Sequence, residues 1–182
     1  MRLPEISRII QVPDGVTVTV DKNKKVTVKG EKATLVRDFS FVNISIESTD
    51  NKVRIWAEWP RKKETALVGT LEAHIKNMIT GVTKGFTYKM KIVFSHFPIT
   101  VKLQDKAVVV ENFTGEKRAR KLKIIGDVKV KLETDDIIIQ GNNLEDVSQT
   151  AANIECGTRL TNKDPRVFLD GLYVYERNEG ME

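Results

Sequence analysis

The chain has 182 residues, 40% of them apolar and 30% charged, which is enough apolar material for one domain or two small ones. Its formal net charge of +5 favours an acidic partner, and its single cysteine, Cys156, excludes an intrachain disulfide framework and a paired-cysteine metal site. Because the N-terminus lacks the apolar core of a signal peptide and no apolar run approaches a membrane span, we expect a folded protein of a reducing, cytoplasmic compartment.

The first half of the chain contains short segments in which apolar and polar residues alternate. This period of two predicts strands that bury one face of a sheet, separated by turns rich in Asp, Asn and Lys. The predicted strands lie near residues 16–20, 25–29, 42–48 and 52–58.

A helical period follows these strands. Pro60 suits the first turn of a helix, and Gly81 suits its end. The apolar residues between them recur at helical spacing and predict a buried stripe, on which His74 also falls. A histidine there is expected to pack rather than to catalyse or to bind a metal. The apolar members of the stripe are Leu67, Leu71, Ile75, Met78 and Ile79.

The second half returns to strands after the glycines at 81 and 85. Asn143, with Asp146 three residues later, is typical of a helix N-cap, and the helix is predicted from Leu144 to Ile154. A tail follows, with a short strand at Leu172–Tyr175. The other predicted strands lie near 86–94, 99–104, 107–112, 119–125, 128–133 and 136–140.

The two halves repeat one another. The strand pair that leads to Gly30-Glu31-Lys32 is matched by the strand pair that leads to Gly115-Glu116-Lys117, and each half ends in one helix. A repeat of this length indicates two domains of one architecture rather than a solenoid. We therefore predict an α+β fold of two duplicated domains, 1–82 and 83–182, each an antiparallel β-sheet packed against one α-helix.

Motifs that carry catalysis or bind cofactors are lacking. The chain has neither a glycine-rich phosphate loop nor the glycine spacing of a KH domain, and His74 and His96 are isolated. The acidic residues Glu133, Asp135 and Asp136 are typical of a solvated turn. We expect no enzyme, no cofactor and no metal; an uncharacterised enzyme that uses Asp135 and Asp136 is the alternative.

A basic segment between Gly115 and Lys131 carries the net charge. Seven basic residues stand there against Glu116 and Asp127, an excess of five that equals the excess of the whole chain. Long cationic side chains after a turn can reach phosphates, or they can protect an edge strand from aggregation, and both interpretations remain open. The seven are Lys117, Arg118, Arg120, Lys121, Lys123, Lys129 and Lys131.

The tail alternates basic and aromatic residues. Base stacking on these aromatics is one interpretation; packing in the core is the one we expect for Phe168 and Tyr175. Cys156, near the end of the second helix, is expected to be a partly buried small residue. A third basic cluster, at 61–63, precedes the first helix, where positive charge is locally unfavourable and indicates an external anion.

Several runs of sequence resemble the family of the sixth large-subunit ribosomal protein, in its archaeal and eukaryotic form. They occur in the family's order and span nearly the whole chain. The runs are KETALVGTLEAHIKNMITGVTKGF at 63–86, HFPI at 96–99, QTAANIE at 149–155, NKDPR at 162–166 and DGLY at 170–173.

This resemblance implies two duplicated α+β domains and a structural, non-enzymatic role in the large ribosomal subunit. It implies binding to large-subunit ribosomal RNA, chiefly by the second domain, near the sarcin–ricin loop and the base of the stalk that recruits translational GTPases. Neighbouring ribosomal proteins there would be further partners. A free RNA-binding regulator is another reading of the same residues. The implied RNA contacts are Lys117, Arg118, Arg120, Lys121, Lys123, Arg159, Lys163, Arg166 and Tyr173.

Overall fold

A computed structural model describes residues 4–49, 51–161, 163–164 and 166–181. The chain divides into two compact units, 1–84 and 85–182, called unit 1 and unit 2 below. The quoted motif residues Asn162 and Pro165 lie outside the described residues.

Unit 1 consists of two three-stranded antiparallel sheets and one helix. Strand order is β1-β6-β5 in one sheet and β2-β3-β4 in the other, and helix α1 packs against strands of both. The elements are β1 (Glu5–Gln11), β2 (Thr17–Val20), β3 (Lys25–Lys29), β4 (Thr34–Asp38), β5 (Ser45–Thr49), β6 (Lys52–Glu58) and α1 (Lys62–Thr83).

The core of unit 1 forms where the period-two strands meet the helix. Val26 and Val28 of β3 and Val53 and Ile55 of β6 are fully buried, as the alternation predicts. Strands β1 and β4 were not among the predicted strands. In β1 the adjacent Ile9 and Ile10 break the alternation of apolar and polar residues, and in β4 the adjacent Leu35 and Val36 break it, so neither sequence carries a clear period of two.

Helix α1 buries a stripe that differs from the predicted one at its first member. Leu67 is exposed, and Val68 on the next position is buried, so the prediction for Leu67 was wrong. Leu67 lies at the margin of the stripe, where it remains open to solvent. His74 is half-buried beside Phe39, in agreement with a packing role. The buried members are Val68, Leu71, Ile75, Met78, Ile79, Gly81 and Val82.

Unit 2 also has two antiparallel sheets and one α-helix, together with a short 3₁₀ turn. Strand order is β11-β12-β7-β13 in one sheet and β10-β9-β8 in the other. Helix α2 packs against β7, β10, β12 and β13. The elements are β7 (Phe86–Val93), β8 (Thr100–Gln104), β9 (Ala107–Glu111), a 3₁₀ turn (Phe113–Gly115), β10 (Arg120–Lys123), β11 (Lys129–Leu132), β12 (Asp136–Gly141), α2 (Leu144–Gly157) and β13 (Gly171–Glu179).

The topology confirms the duplication. The order β1-β6-β5 corresponds to β7-β12-β11, and β2-β3-β4 corresponds to β8-β9-β10. Strand β13 has no counterpart among the described residues of unit 1. It pairs with β7, which holds the position of the edge strand β1.

Strand β13 is longer than predicted, and its bulge places one tyrosine outside the core. The register against β7 shifts between Val174 and Glu176, so Tyr175 has no partner there and is 52% exposed. The prediction that Tyr175 is a core anchor was therefore wrong. Leu172 is fully buried instead, and its N–H donates to the Thr158 hydroxyl at the end of α2.

Helix α2 begins where the sequence predicted. The Asn143 carboxamide oxygen accepts from the Glu145 N–H at 3.2 Å, and its nitrogen donates to Asp146, which confirms the N-cap. The helix ends three residues beyond the predicted Ile154. Within the described residues, neither helix has the length and apolar character that a bilayer span requires.

Candidate nucleic-acid interface

Three segments of unit 2 meet at the C-terminal end of α2. The connection from β7 to β8 contacts the tail through His96 and Asp170, whose Nδ1 and Oδ2 atoms are 3.0 Å apart. The start of β10 contacts α2 through Arg120, which donates to the Gly157 carbonyl at 2.9 Å. The basic segment and the tail, distant in sequence, therefore flank one helix end, called the α2 end below.

The first part of the basic segment, residues 115–123, follows a strained turn. Asn112 and Thr114 have φ values of 56° and 51°, a region that a β-branched residue such as Thr114 rarely adopts. Between them Phe113 is 1% exposed, and the Asn112 carboxamide donates to the Pro98 carbonyl at 3.0 Å. Burial of Phe113 and this hydrogen bond hold the turn, which fixes the direction in which the basic segment leaves β9.

Arg120 is part of the scaffold that supports this segment. Its guanidinium forms two hydrogen bonds with the Glu116 carboxylate and lies 4.3 Å from the centre of the Phe113 ring. Hydrogen bonding from Arg120 lowers the pKa of Glu116. Arg120 was predicted to contact RNA, but its guanidinium contacts three groups of unit 2 itself. These are the Glu116 carboxylate, the Phe113 ring and the Gly157 carbonyl.

The other predicted contacts of the basic segment point to solvent. Lys121 and Lys123 lie on the outer face of β10, while Leu122 between them packs against Gly157. None of the four side chains has an ion pair or hydrogen bond with a residue that the structure describes. The four, called the outer cations below, are Lys117, Arg118, Lys121 and Lys123.

An open cleft of about 830 Å³ lies beside these cations, and Arg118, Lys121 and the backbone of Gly157 line it. Arg120 and Glu116 line the same cleft, so the supporting ion pair forms one of its walls. Cationic side chains around an open depression can hold a phosphate backbone without enclosing it.

Three side chains of the tail and His96 of the β7–β8 connection contact one another in series. The Lys163 ammonium lies 4.4 Å from the centre of the Phe168 ring, whose centre is 4.6 Å from that of the His96 ring. His96 in turn contacts the buried Asp170. Phe168 is half-buried, as expected of a packing residue.

Asp170 holds the connection between β7 and β8 against the tail. It is 1% exposed, and its Oδ1 atom accepts from the N–H groups of Ser95 at 2.8 Å and of His96 at 3.2 Å. Burial raises the pKa of this carboxyl, but the hydrogen bonds from Ser95 and His96 together outweigh burial and lower the pKa to about 2.

A second cleft, of about 550 Å³ and called the tail cleft below, also lies at the α2 end, where Glu155, Cys156 and Thr158 line it. It brings together three predicted contacts, Arg159, Lys163 and Tyr173. Cys156 also lines it and is exposed, so the prediction of partial burial was wrong. Cys156 lies off the buried stripe of α2, which runs through Val147, Thr150, Ala151 and Ile154.

Arg166 lies apart from both clefts. Its side chain is 89% exposed and pairs with Asp164 at 3.1 Å. Hydrogen bonds from the Arg166 side chain and backbone lower the pKa of Asp164. The pair is local, and the structure does not bring Arg166 together with the other eight predicted contacts.

The fold and this surface define a duplicated α+β protein whose second copy presents a cationic surface suited to a polyanion. A model of the family described as ribosomal protein L6 matches residues 12–85 and, a second time, residues 97–171. The chain belongs to the ribosomal protein L6 family. It is therefore a structural constituent of the ribosome and not an enzyme.

Archaeal relatives are similar over almost the whole chain. A protein of Desulfurococcus amylolyticus named large ribosomal subunit protein uL6 is 48% identical and covers 99% of both chains. Proteins of the same name from Methanobrevibacter smithii and Ignicoccus hospitalis are 47% and 49% identical, and cover 92% and 94% of this chain and 94% and 95% of their own. These matches confirm the resemblance to the archaeal and eukaryotic form of the family, and all three relatives are archaeal.

Proposed function

We propose that this chain is a component of the large ribosomal subunit and that unit 2 binds ribosomal RNA of that subunit at the α2 end. The relatives carry the name of a large-subunit protein. The observation that carries the RNA contact is the set of outer cations, which have no partner among the described residues; two of them, Arg118 and Lys121, line an open cleft.

Binding would proceed by electrostatic positioning. Each outer cation neutralises a phosphate and releases its counterion, which makes the affinity dependent on salt. The ion pair between Arg120 and Glu116 and the bond to Gly157 fix the segment that carries the cations, so less conformational freedom is lost on binding. Folded RNA is then recognised by the spacing of its phosphates rather than by base identity.

The family resemblance supports a proposed position within the subunit. It would be near the sarcin–ricin loop and the base of the stalk that recruits translational GTPases, in the cytoplasmic ribosome. The partners would be large-subunit ribosomal RNA and the ribosomal proteins at the stalk base.

Sedimentation with crosslinking tests this proposal. The chain, carrying an affinity tag, should sediment with large ribosomal subunits in a sucrose gradient. A lysine-directed crosslinker should then join Lys121 and Lys123 to ribosomal RNA. Lys22 and Lys25 of unit 1, which are also exposed, serve as the control. A chain that stays at the top of the gradient contradicts the proposal, and binding to free RNA without entry into particles would favour a regulator.

A further inference from the structure

The tail cleft differs from the cleft of the outer cations in the kind of surface that it offers. Leu160, Phe168 and Tyr173 supply apolar and aromatic walls, and Arg159 and Lys163 supply charge. Its volume of about 550 Å³ is within the range of small-molecule sites, roughly 300–1,000 Å³. A phosphate backbone alone needs no aromatic wall.

Tyr173 has the exposure and support of a stacking platform. Its ring lies over Gly171, where a Cβ would be 2.8 Å from the ring atoms, so the backbone of β13 supports one side. The side chain is nevertheless 43% exposed, which leaves ring surface open towards the cleft that it lines. Unpaired RNA bases stack on tyrosines that are held in this way.

Phe168 forms a wall rather than a second platform. Its ring contacts His96 and the Lys163 ammonium, so its aromatic surface already has partners within unit 2. The effect of this stack is to hold Lys163 at the edge of the cleft.

The polar groups of the cleft match a nucleotide. The Arg159 and Lys163 side chains have no ion pair with a described residue, and both can contact a phosphate. Glu155 also lines the cleft, and its carboxylate can accept from the amino group of a base. Tyr173 and Glu155 offer contacts for the base of a nucleotide, and Arg159 and Lys163 offer contacts for its phosphate.

From these features we infer that the tail cleft binds one unstacked nucleotide of RNA, with the base on Tyr173 and the phosphate at Arg159 and Lys163. This inference rests on the proposed function, because it specifies how unit 2 recognises RNA. The outer cations then bind phosphates of paired RNA, and the tail cleft selects RNA in which a nucleotide is extruded.

Two RNA hairpins with the same stem test the inference, one fully paired and one with a single bulged adenosine. The full-length protein should bind the bulged hairpin about tenfold or more tightly, given the size of base–aromatic stacking. Tyr173→Leu should abolish this preference, so that the variant binds the two hairpins with equal affinity. Tyr175→Leu is the matched control, because Tyr175 is an exposed tyrosine of the same strand outside the cleft, and it should retain the preference.

The results separate the inference from the proposed function. The inference would be overturned if the wild-type protein bound both hairpins with equal affinity or did not bind the bulged hairpin. It would also be overturned if Tyr173→Leu and Tyr175→Leu lowered the preference for the bulged hairpin equally. Such results together with binding to intact large-subunit ribosomal RNA would leave the proposed function standing. Failure of the wild-type protein to bind that intact RNA would overturn the proposed function itself. Circular dichroism of each variant establishes that it is folded.

Discussion

The guanidinium of Arg120 donates to the Gly157 carbonyl at 2.9 Å and thereby joins β10 to the C-terminal end of α2. The last carbonyls of a helix lack partners within the helix and carry partial negative charge, so a cation stabilises them. Glu116 and the Phe113 ring occupy the other sides of the same guanidinium. One side chain thus connects the strained turn, the basic segment and the helix.

Arg120→Lys should destabilise unit 2 by about 1–2 kcal/mol, because an ammonium cannot bind a carboxylate in a bidentate manner, reach the carbonyl and cover the ring at once. Hydrogen exchange of the β9 and β10 amides measures this loss. Since the charge is retained, the salt dependence of RNA binding should keep its slope while the affinity falls. Arg118→Lys, at an exposed position without a described partner, is the control. If the β9 and β10 amides were equally protected from hydrogen exchange in Arg120→Lys and Arg118→Lys, the Arg120 contacts would contribute little to the stability of unit 2.

Thr114→Asn should stabilise unit 2 by about 0.5–1 kcal/mol, because asparagine tolerates the left-handed conformation that Thr114 adopts at a φ of 51°. Thermal unfolding measures the change. Thr100→Asn, in the extended strand β8, should lower the stability slightly, since asparagine is a poor strand residue. A lower melting temperature for Thr114→Asn than for wild type would mean that the threonine side chain makes contacts worth more than the strain.

The lowered pKa of Asp170 predicts that unit 2 loses stability in acid. Its pKa is lowered to about 2 from 3.8, so the folded state favours the charged form. The stabilisation is present above the unfolded pKa near 4 and is lost as the pH falls through about 2, and it amounts to about 2 kcal/mol. Asp170→Asn should therefore be less stable than wild type at neutral pH, and the difference should shrink between about pH 4 and 2.

Urea unfolding at several pH values gives this difference. Asp164→Asn is the control, because the Asp164 carboxyl also has a lowered pKa but is exposed, where solvent screens the interaction. A stability difference for Asp170→Asn that stays constant through this pH range would contradict the assignment.

Local patterns were sufficient for most of the fold. Alternation predicted β3 and β6, helical spacing predicted α1, and Asn143 with Asp146 predicted the start of α2, because each signal lies within a few residues. Strand β1 was missed since Ile9 and Ile10 are adjacent, although Ile9 is exposed and Ile10 is buried. Tyr175 was assigned to the core because a bulge leaves no pattern in the sequence.

The site was harder to predict because its contacts are distant in sequence. His96 and Asp170 are 74 residues apart, and Arg120 and Gly157 are 37 apart, so nothing local connects them. Arg118 and Arg120 look equivalent in the sequence. The fold separates them, since Arg118 is exposed and Arg120 supports the segment.

The most direct test of the account is the salt dependence of binding to large-subunit ribosomal RNA. Two variants with equal charge loss are compared, one with the four outer cations changed to glutamine and one with the exposed lysines of unit 1 at 22, 25, 29 and 52 changed to glutamine. The first should bind more weakly, with a slope of log affinity against log salt reduced by about 3–4, and the second should bind as wild type does. Equal slopes for the two variants would contradict the assignment of RNA binding to the α2 end.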